Sequence, residues 1–236
     1  MISVRINCAS TMSLARSRAF ASATLPLLLP VLLVLVFVMH LRGLPQFLDF
    51  RLHYVPTPPS VVVHALAGRD RGDGVMLDPH LVAYLALPLL LVTGRMLHRI
   101  GRARRPLASA AAFGVTAVGT LYLGGLFGMW TAFFSGLAHL DPRDADGAVA
   151  AFAAMTAPRG AFLLTTTLSK LAFAGLALQG LALWGRDARS RAAALFLAAG
   201  SALFLVFWDL DNWMLVGSLL LMAGVVAARR IPPPDA

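Results

Sequence analysis

The sequence predicts an all-α membrane protein: a polytopic bundle of six transmembrane helices, with both termini on the cytoplasmic side and an external cap. Of the 236 residues, 58% are hydrophobic and only 13% are charged, whereas soluble proteins have about 45–50% apolar and about 25% charged residues. The apolar residues also form long blocks, as bilayer spans require. Arginines fill every second connection between the blocks, whereas the other connections are acidic or have nearly balanced charges. We therefore expect one integral membrane domain that contacts the lipid bilayer along most of its length.

The apolar blocks define the six spans and their order. The blocks are 16 to 24 residues long, close to the roughly 20 residues that a transmembrane helix needs. The predicted spans cover about 21–40, 80–97, 107–130, 163–184, 192–208 and 213–228.

The first span follows a basic leader that contains Arg5, Arg16 and Arg18 and no acidic residue. A basic stretch before an apolar block is also typical of a signal peptide, but no small-residue cleavage site follows this block. We interpret residues 21–40 as an uncleaved span with the N-terminus inside. Translation from Met12 would leave a similar leader.

Two connections are predicted to form the external cap. Residues 41–78 combine apolar positions with a proline-rich and a glycine-rich stretch, and residues 141–160 begin with an acidic turn. The apolar side chains of 41–78 would face water unless they packed on the bundle or on a partner. The short apolar stretch 148–157 cannot cross the bilayer, and we expect it to lie at the outer interface, with an extension of the fourth span as the alternative.

Arginine-rich connections orient the bundle. The densest run extends from Arg95 to Arg105, and further clusters lie at 186–191 and 229–230. Since short connections rich in Lys and Arg remain in the cytoplasm, these three segments are predicted to be inside. The expected location is a bacterial cytoplasmic membrane. The net charge of +9 is explained in this way, and no soluble basic domain indicates nucleic-acid binding.

Small and aromatic residues indicate how the helices pack and where the interfaces lie. Gly124 and Gly128 form a small-xxx-small pattern on the third span, which favours close helix packing within the bundle. The tryptophans fall at predicted boundaries, as an aromatic belt does. We interpret Trp130, Trp208 and Trp213 as outer anchors and Trp184 as an inner anchor.

Histidines and acids accumulate on the predicted outer side, where they could bind a metal. Imidazole and carboxylate are suitable ligands for zinc, copper or iron, and a haem near the outer leaflet would need two histidines at matching depth. Their spacing matches no specific motif, and the single cysteine, Cys8, excludes a multi-cysteine site. No cofactor is therefore implied by a motif. The candidate ligands are His40, His53, His64, His80, His139 and Asp141.

Lys170 lies inside the fourth apolar block. A charged group at that depth is unfavourable unless it reaches the interface or pairs with an opposite charge. Asp209 and Asp211 lie in the tight turn between spans five and six, at about the level that Lys170 can reach. We predict an ion pair between Lys170 and one of these carboxylates, with outward extension of the lysine as the alternative.

Three functional hypotheses follow, in order of preference. The first is a non-catalytic subunit or assembly factor of a larger membrane complex, since the connections are short and no catalytic motif is present. The second is a small transporter or channel that uses Lys170 with Asp209 and Asp211. The third is a membrane enzyme with a metal or haem at the outer histidines. The adjacent Ser169 and Lys170 are not a catalytic dyad, because neighbouring helical residues point about 100° apart.

Overall fold

The computed structural model describes residues 8–40, 48–52, 57–69, 79–208 and 210–231, with side chains from residue 24 onward. These ranges contain α-helices and one short 3-10 helix, and no strand. The α-helices are α1 (Cys8–His40), α2 (Pro59–Leu66), α3 (Pro79–Gly101), α4 (Pro106–His139), α5 (Ala145–Thr156), α6 (Gly160–Ser169), α7 (Leu171–Ala182), α8 (Ala188–Val206) and α9 (Asp211–Arg229).

The predicted fold class is confirmed: the chain is an all-α polytopic membrane bundle. Five helical segments are long and apolar enough to cross a membrane, with α6 and α7 together forming one of them, and the end of α1 supplies a shorter apolar helix, Thr24–His40. Three boundaries differ from the prediction. The helix of the first span begins at Cys8, α4 continues to His139, and the fourth span is interrupted at Lys170.

The membrane helices form a closed ring. Each helix packs against the next in the order α1, α3, α4, α7, α8 and α9, and α9 returns to α1. Helix α6 packs on α4. The ring is filled at one end, because α3 and α7 also meet across it, where Gly94 approaches the Gln179 side chain and Gly101 approaches Leu183.

Glycines allow the closest helix approaches in this ring. A Cβ atom added at Gly119 would overlap the backbone of Ala172, and one added at Gly175 would overlap the backbone of Thr116, so α4 and α7 meet almost backbone to backbone. Gly200 and Gly217 likewise allow α8 and α9 to approach closely, because a Cβ atom added at either glycine would meet the carbonyl oxygen of the other. These contacts provide the tight packing that small residues permit between membrane helices.

The arginine-rich end of the bundle is held together by side chains that link the α3–α4 and α7–α8 connections. Arg104 donates hydrogen bonds to the Leu183 carbonyl at 2.8 Å and to Ser190, and its Nη2 lies 3.3 Å from Asp187. Asp187 also caps α8 by accepting from the Ser190 backbone N–H. The Ser190 hydroxyl, the Ser190 N–H and the Arg104 guanidinium lower the pKa of Asp187 from 3.8 to about 2.

The described part of the cap packs on the extended end of α4. At 34 residues, α4 is about 51 Å long, which exceeds the roughly 30 Å of hydrocarbon in a bilayer. A second hydrophobic core forms there from Val63 of α2, Leu137 of α4, and Ala145 and Phe152 of α5. The segments 57–69 and 141–160 therefore pack against each other and against the C-terminal end of α4.

Candidate functional site

A cavity of about 90 Å³ lies inside the helix ring, in the half opposite the arginine-rich end. It extends from Leu29 to His40 along α1 and from Leu90 to His80 along α3. At 1.5 Å per residue these stretches are about 15 Å long, so the cavity is long and narrow. The crossing of α3 and α7 near Gly94 fills the ring beyond the Leu90 end.

The walls of the cavity are apolar and largely aromatic. Phe173 and Phe204 stack with their ring centroids 4.1 Å apart, and Phe37 meets Phe204 edge-on at 5.7 Å. Leu, Ala and Val side chains of α1 and α3 complete the wall. Such a surface binds hydrocarbon well and offers nothing to a charged solute over most of its length.

Three polar side chains come together at one end of the cavity. The His40 and His80 rings touch edge to face with centroids 5.2 Å apart, and His40 Nδ1 lies 3.9 Å from Asp211 Oδ1. His40 Nδ1–H donates to the Val36 carbonyl at 3.0 Å, which fixes the ring against its own helix. The side chains of His40 and Asp211 remain 26% and 35% exposed, so this polar end can be reached from outside.

Lys170 lies beside this site but does not pair with Asp211. Its ammonium lies 5.7 Å from the centroid of the Trp208 ring, which lines the cavity. Cation–π attraction acts over such distances. Asp211 faces His40 instead. The pairing of Lys170 with Asp211 is therefore not seen, and the Asp209 alternative lies outside the described residues.

Apart from His40 and His80, which touch each other, the predicted metal ligands within the described residues are dispersed. His64 lies 3.1 Å from Asp146, His139 donates to the Ser135 carbonyl, and Asp141 caps the 3-10 helix Pro142–Asp144. His53 lies outside the described residues. Within the described ranges, no group of three or more His, Cys, Asp or Glu side chains could hold a metal ion.

A haem held between His40 and His80 does not fit this arrangement. Two axial histidines approach the iron from opposite faces of the macrocycle, so the ring must separate them. Here the two imidazoles are in direct contact. The geometry therefore disagrees with a haem between His40 and His80, two of the histidines near the outer ends of the spans.

Most of the predicted anchor tryptophans and both of the predicted packing glycines contact neighbouring segments of the bundle. Trp130 joins an aromatic cluster with Phe134, Phe152, Phe162 and His80. Trp213 donates to the Arg51 carbonyl at 2.8 Å and stacks on Phe207, while Trp184 is 42% exposed near the arginine-rich end. Gly124 and Gly128 face Leu87 and Tyr84 of α3 at ordinary contact distances.

The sequence reasoning missed the cavity itself and the grouping of His40 and His80 with Asp211. The sequence contains a pattern that could have predicted this grouping, because His40, His80 and Asp211 each lie at the same end of a different apolar segment. Both histidines are predicted to lie near the outer ends of their spans. Their contact with Asp211 depends on α1 packing against α9, which hydropathy does not reveal.

Fold and site together define a class: a multi-pass helical membrane protein with an internal apolar cavity that ends in a polar cluster. Comparison with family models, with curated proteins and with solved structures finds no match to this chain.

Proposed function

We propose that this protein binds an amphipathic molecule within the membrane. A single hydrocarbon chain would occupy the cavity, and a polar head group would lie at His40, His80 and Asp211. The observation that supports this proposal is the combination of an apolar cavity with three hydrogen-bonding side chains at one end only. Small-molecule sites typically pair a mostly apolar lining with a few polar groups that set the orientation of the ligand.

The width of the cavity and its polar end restrict the ligand. A volume of about 90 Å³ is smaller than the roughly 150 Å³ of a cavity that holds benzene, so a fused ring system does not fit. One unbranched or isoprenoid chain would occupy the cavity by displacing side chains of its wall. Asp211 accepts hydrogen bonds, whereas imidazole N–H groups donate them. A head group with a hydroxyl or carbonyl oxygen satisfies this end of the cavity.

A cavity-filling substitution tests the proposal. Ala86 is 2% exposed and lines the cavity, whereas its neighbour Leu85 is 66% exposed on the outward face of α3. The protein would be purified in mild detergent, and its bound apolar molecules would be extracted and identified by mass spectrometry. We expect Ala86→Phe to lose the bound molecule and Leu85→Phe to retain it.

Two milder variants keep the test informative if Ala86→Phe does not fold. Ala83→Leu narrows the cavity near its polar end, and Asp211→Asn removes the carboxylate while preserving its shape. Each should reduce ligand recovery by about tenfold, a loss typical of one good contact. Equal recovery from all variants, or no bound molecule in the unmodified protein, would contradict the proposal.

The second candidate function is the accessory subunit of a larger membrane complex. Large apolar side chains are exposed on the same side as the cap: Leu48 is 63% exposed, Leu52 is 67% exposed and Val61 is 56% exposed. Exposed apolar groups outside the bilayer favour a protein partner. This candidate does not exclude ligand binding.

Co-purification tests the accessory-subunit candidate. Mild-detergent purification followed by mass analysis should recover a stoichiometric partner from the unmodified protein. The double substitution Leu48→Ser and Leu52→Ser should release that partner. Leu107→Ser, at an 86% exposed position of the arginine-rich end, is the matched control and should not. Recovery of the chain alone under all conditions would count against this function.

A further inference from the structure

A second depression lies on the outer surface of the ring, between α4 and α7 at the arginine-rich end. It has a volume of about 310 Å³. Ala108, Ala111 and Val115 form its floor along α4, and Leu178 and Leu181 form a wall on α7. The groove exists because α4 carries small side chains at helical spacing here, while both leucines are 47% exposed.

The dimensions of this groove match one leaflet of a bilayer. From Arg105 to Val115 it covers ten residues of helix, which is about 15 Å, or half of the roughly 30 Å hydrocarbon core. Arg105 lies at the end of the groove that is outside the apolar segment. An apolar trough of leaflet depth that ends in a cation is complementary to one phospholipid molecule.

The charge of the surrounding surface favours an anionic head group. In the described ranges Asp187 is the single carboxylate at this end, and it already pairs with Arg104. Arg105 makes no ion pair there, and its Nη1 donates to the Leu181 carbonyl at 3.2 Å, which holds the guanidinium over the groove wall. The arginines at this end are Arg95, Arg99, Arg102, Arg104, Arg105, Arg186, Arg189, Arg191, Arg229 and Arg230.

We propose that this groove binds an anionic phospholipid of the inner leaflet, with an acyl chain along Ala108, Ala111 and Val115 and the phosphate at Arg105. A guanidinium presents five N–H donors in a fork that matches phosphate oxygens. Basic pockets between helices on the cytoplasmic side are suited to such head groups. This site is independent of the internal cavity.

The test measures phospholipid retention on the full-length protein. The protein would be reconstituted in equal parts of phosphatidylglycerol and phosphatidylcholine, extracted in mild detergent and analysed by native mass spectrometry. We expect bound phosphatidylglycerol to exceed phosphatidylcholine. Arg105→Gln should reduce the bound phosphatidylglycerol by about tenfold, the effect of losing one charge-assisted hydrogen bond to the phosphate.

Matched controls separate the groove from the general positive charge. Arg102→Gln removes the same charge from an exposed position outside the groove, and it should leave retention unchanged. Ala111→Leu fills the groove and should lower retention, whereas Ala110→Leu adds the same side chain at an exposed position beside it and should not. Both alanines are exposed, so folding is preserved.

Four results would overturn the proposal. Equal losses for Arg102→Gln and Arg105→Gln would mean diffuse attraction, and equal retention of both phospholipids would mean that charge is not recognised. Displacement of the bound lipid by inorganic phosphate would mean that the head group alone is bound. A homodimer that Ala111→Leu dissociates would mean that a second copy of this chain occupies the groove.

Discussion

At the scale of single residues, the volume of one side chain decides how closely α4 and α7 can pack. Gly119 has no room for a Cβ atom, since that atom would overlap the Ala172 backbone. Gly114, five residues earlier on the same helix, has no neighbouring atom within 4 Å of an added Cβ. Substitution by alanine therefore places the same methyl group against backbone atoms at Gly119 and in open space at Gly114.

Gly119→Ala is expected to destabilise the protein by about 1–3 kcal/mol, because backbone atoms must move to admit the methyl group. Gly114→Ala should leave stability unchanged or raise it slightly, since alanine is the better helix former. Thermal unfolding in detergent measures both. Equal stabilities of the two variants would contradict the close α4–α7 contact.

The interaction of Lys170 with Trp208 is also testable residue by residue. In a double-mutant cycle, Lys170→Met and Trp208→Leu should be non-additive by about 0.5–2 kcal/mol, the range of cation–π pairs. Lys170→Met and Asp211→Asn should be additive, because Asp211 contacts His40 instead. Non-additivity of the second pair alone would restore the predicted ion pair.

At the scale of elements, the turn that caps the start of α8 also links the α7–α8 connection to the α3–α4 connection. Asp187 accepts hydrogen bonds from Ser190 and lies against Arg104, so its pKa falls from 3.8 to about 2. A carboxyl group with a lowered pKa in the folded state stabilises that state above its unfolded pKa. The contribution is lost as the pH falls through the folded pKa.

The cap predicts a defined pH dependence. The unfolding temperature of the unmodified protein should exceed that of Asp187→Asn at neutral pH, and the difference should shrink as the pH falls from about 4 to about 2. Asp144→Asn is the control, because Asp144 makes no capping hydrogen bond with its side chain. A difference that persists unchanged at pH 2 would contradict the charged role of Asp187.

Helices were more predictable than their contacts, and particular residues explain why. Apolar blocks bounded by arginines indicated the spans, because hydrocarbon thickness restricts helix length. Gly124 and Gly128 fit the small-xxx-small pattern, yet the tighter approach is at Gly119. A spacing pattern does not identify the partner helix. For the same reason the contact of His40 with Asp211 required the packing of α1 on α9.

At the scale of the whole molecule, the bundle has a basic end and a histidine-bearing end. Arg104 bridges the α3–α4 and α7–α8 connections, and Arg189 donates to the Arg230 carbonyl at 3.3 Å, so these segments lie at one end. His40, His80 and Asp211 lie at the other. The positive-inside rule then predicts which end is cytoplasmic.

Reporter fusions test this orientation. Fusions after Arg105, Arg189 and Arg230 should report a cytoplasmic location, and fusions near Gly72 and Asp144 should report an external one. The reason is the concentration of arginines in short connections at one end. An external signal after Arg105 would reverse the assignment of the cavity and of the outer groove to their leaflets.

The closure of the ring by α1 and α9 has a consequence for biosynthesis. Chains emerge from the ribosome N-terminus first, so α1 enters the bilayer before α9, yet α9 is one of its two flanking neighbours. Until α9 arrives, that flank of α1 faces lipid, and the enclosure around Leu29, Leu33 and Phe37 has an open side. A ligand of the proposed kind would thus enter sideways from the bilayer until α9 packs against α1, and after that only past the exposed His40 and Asp211.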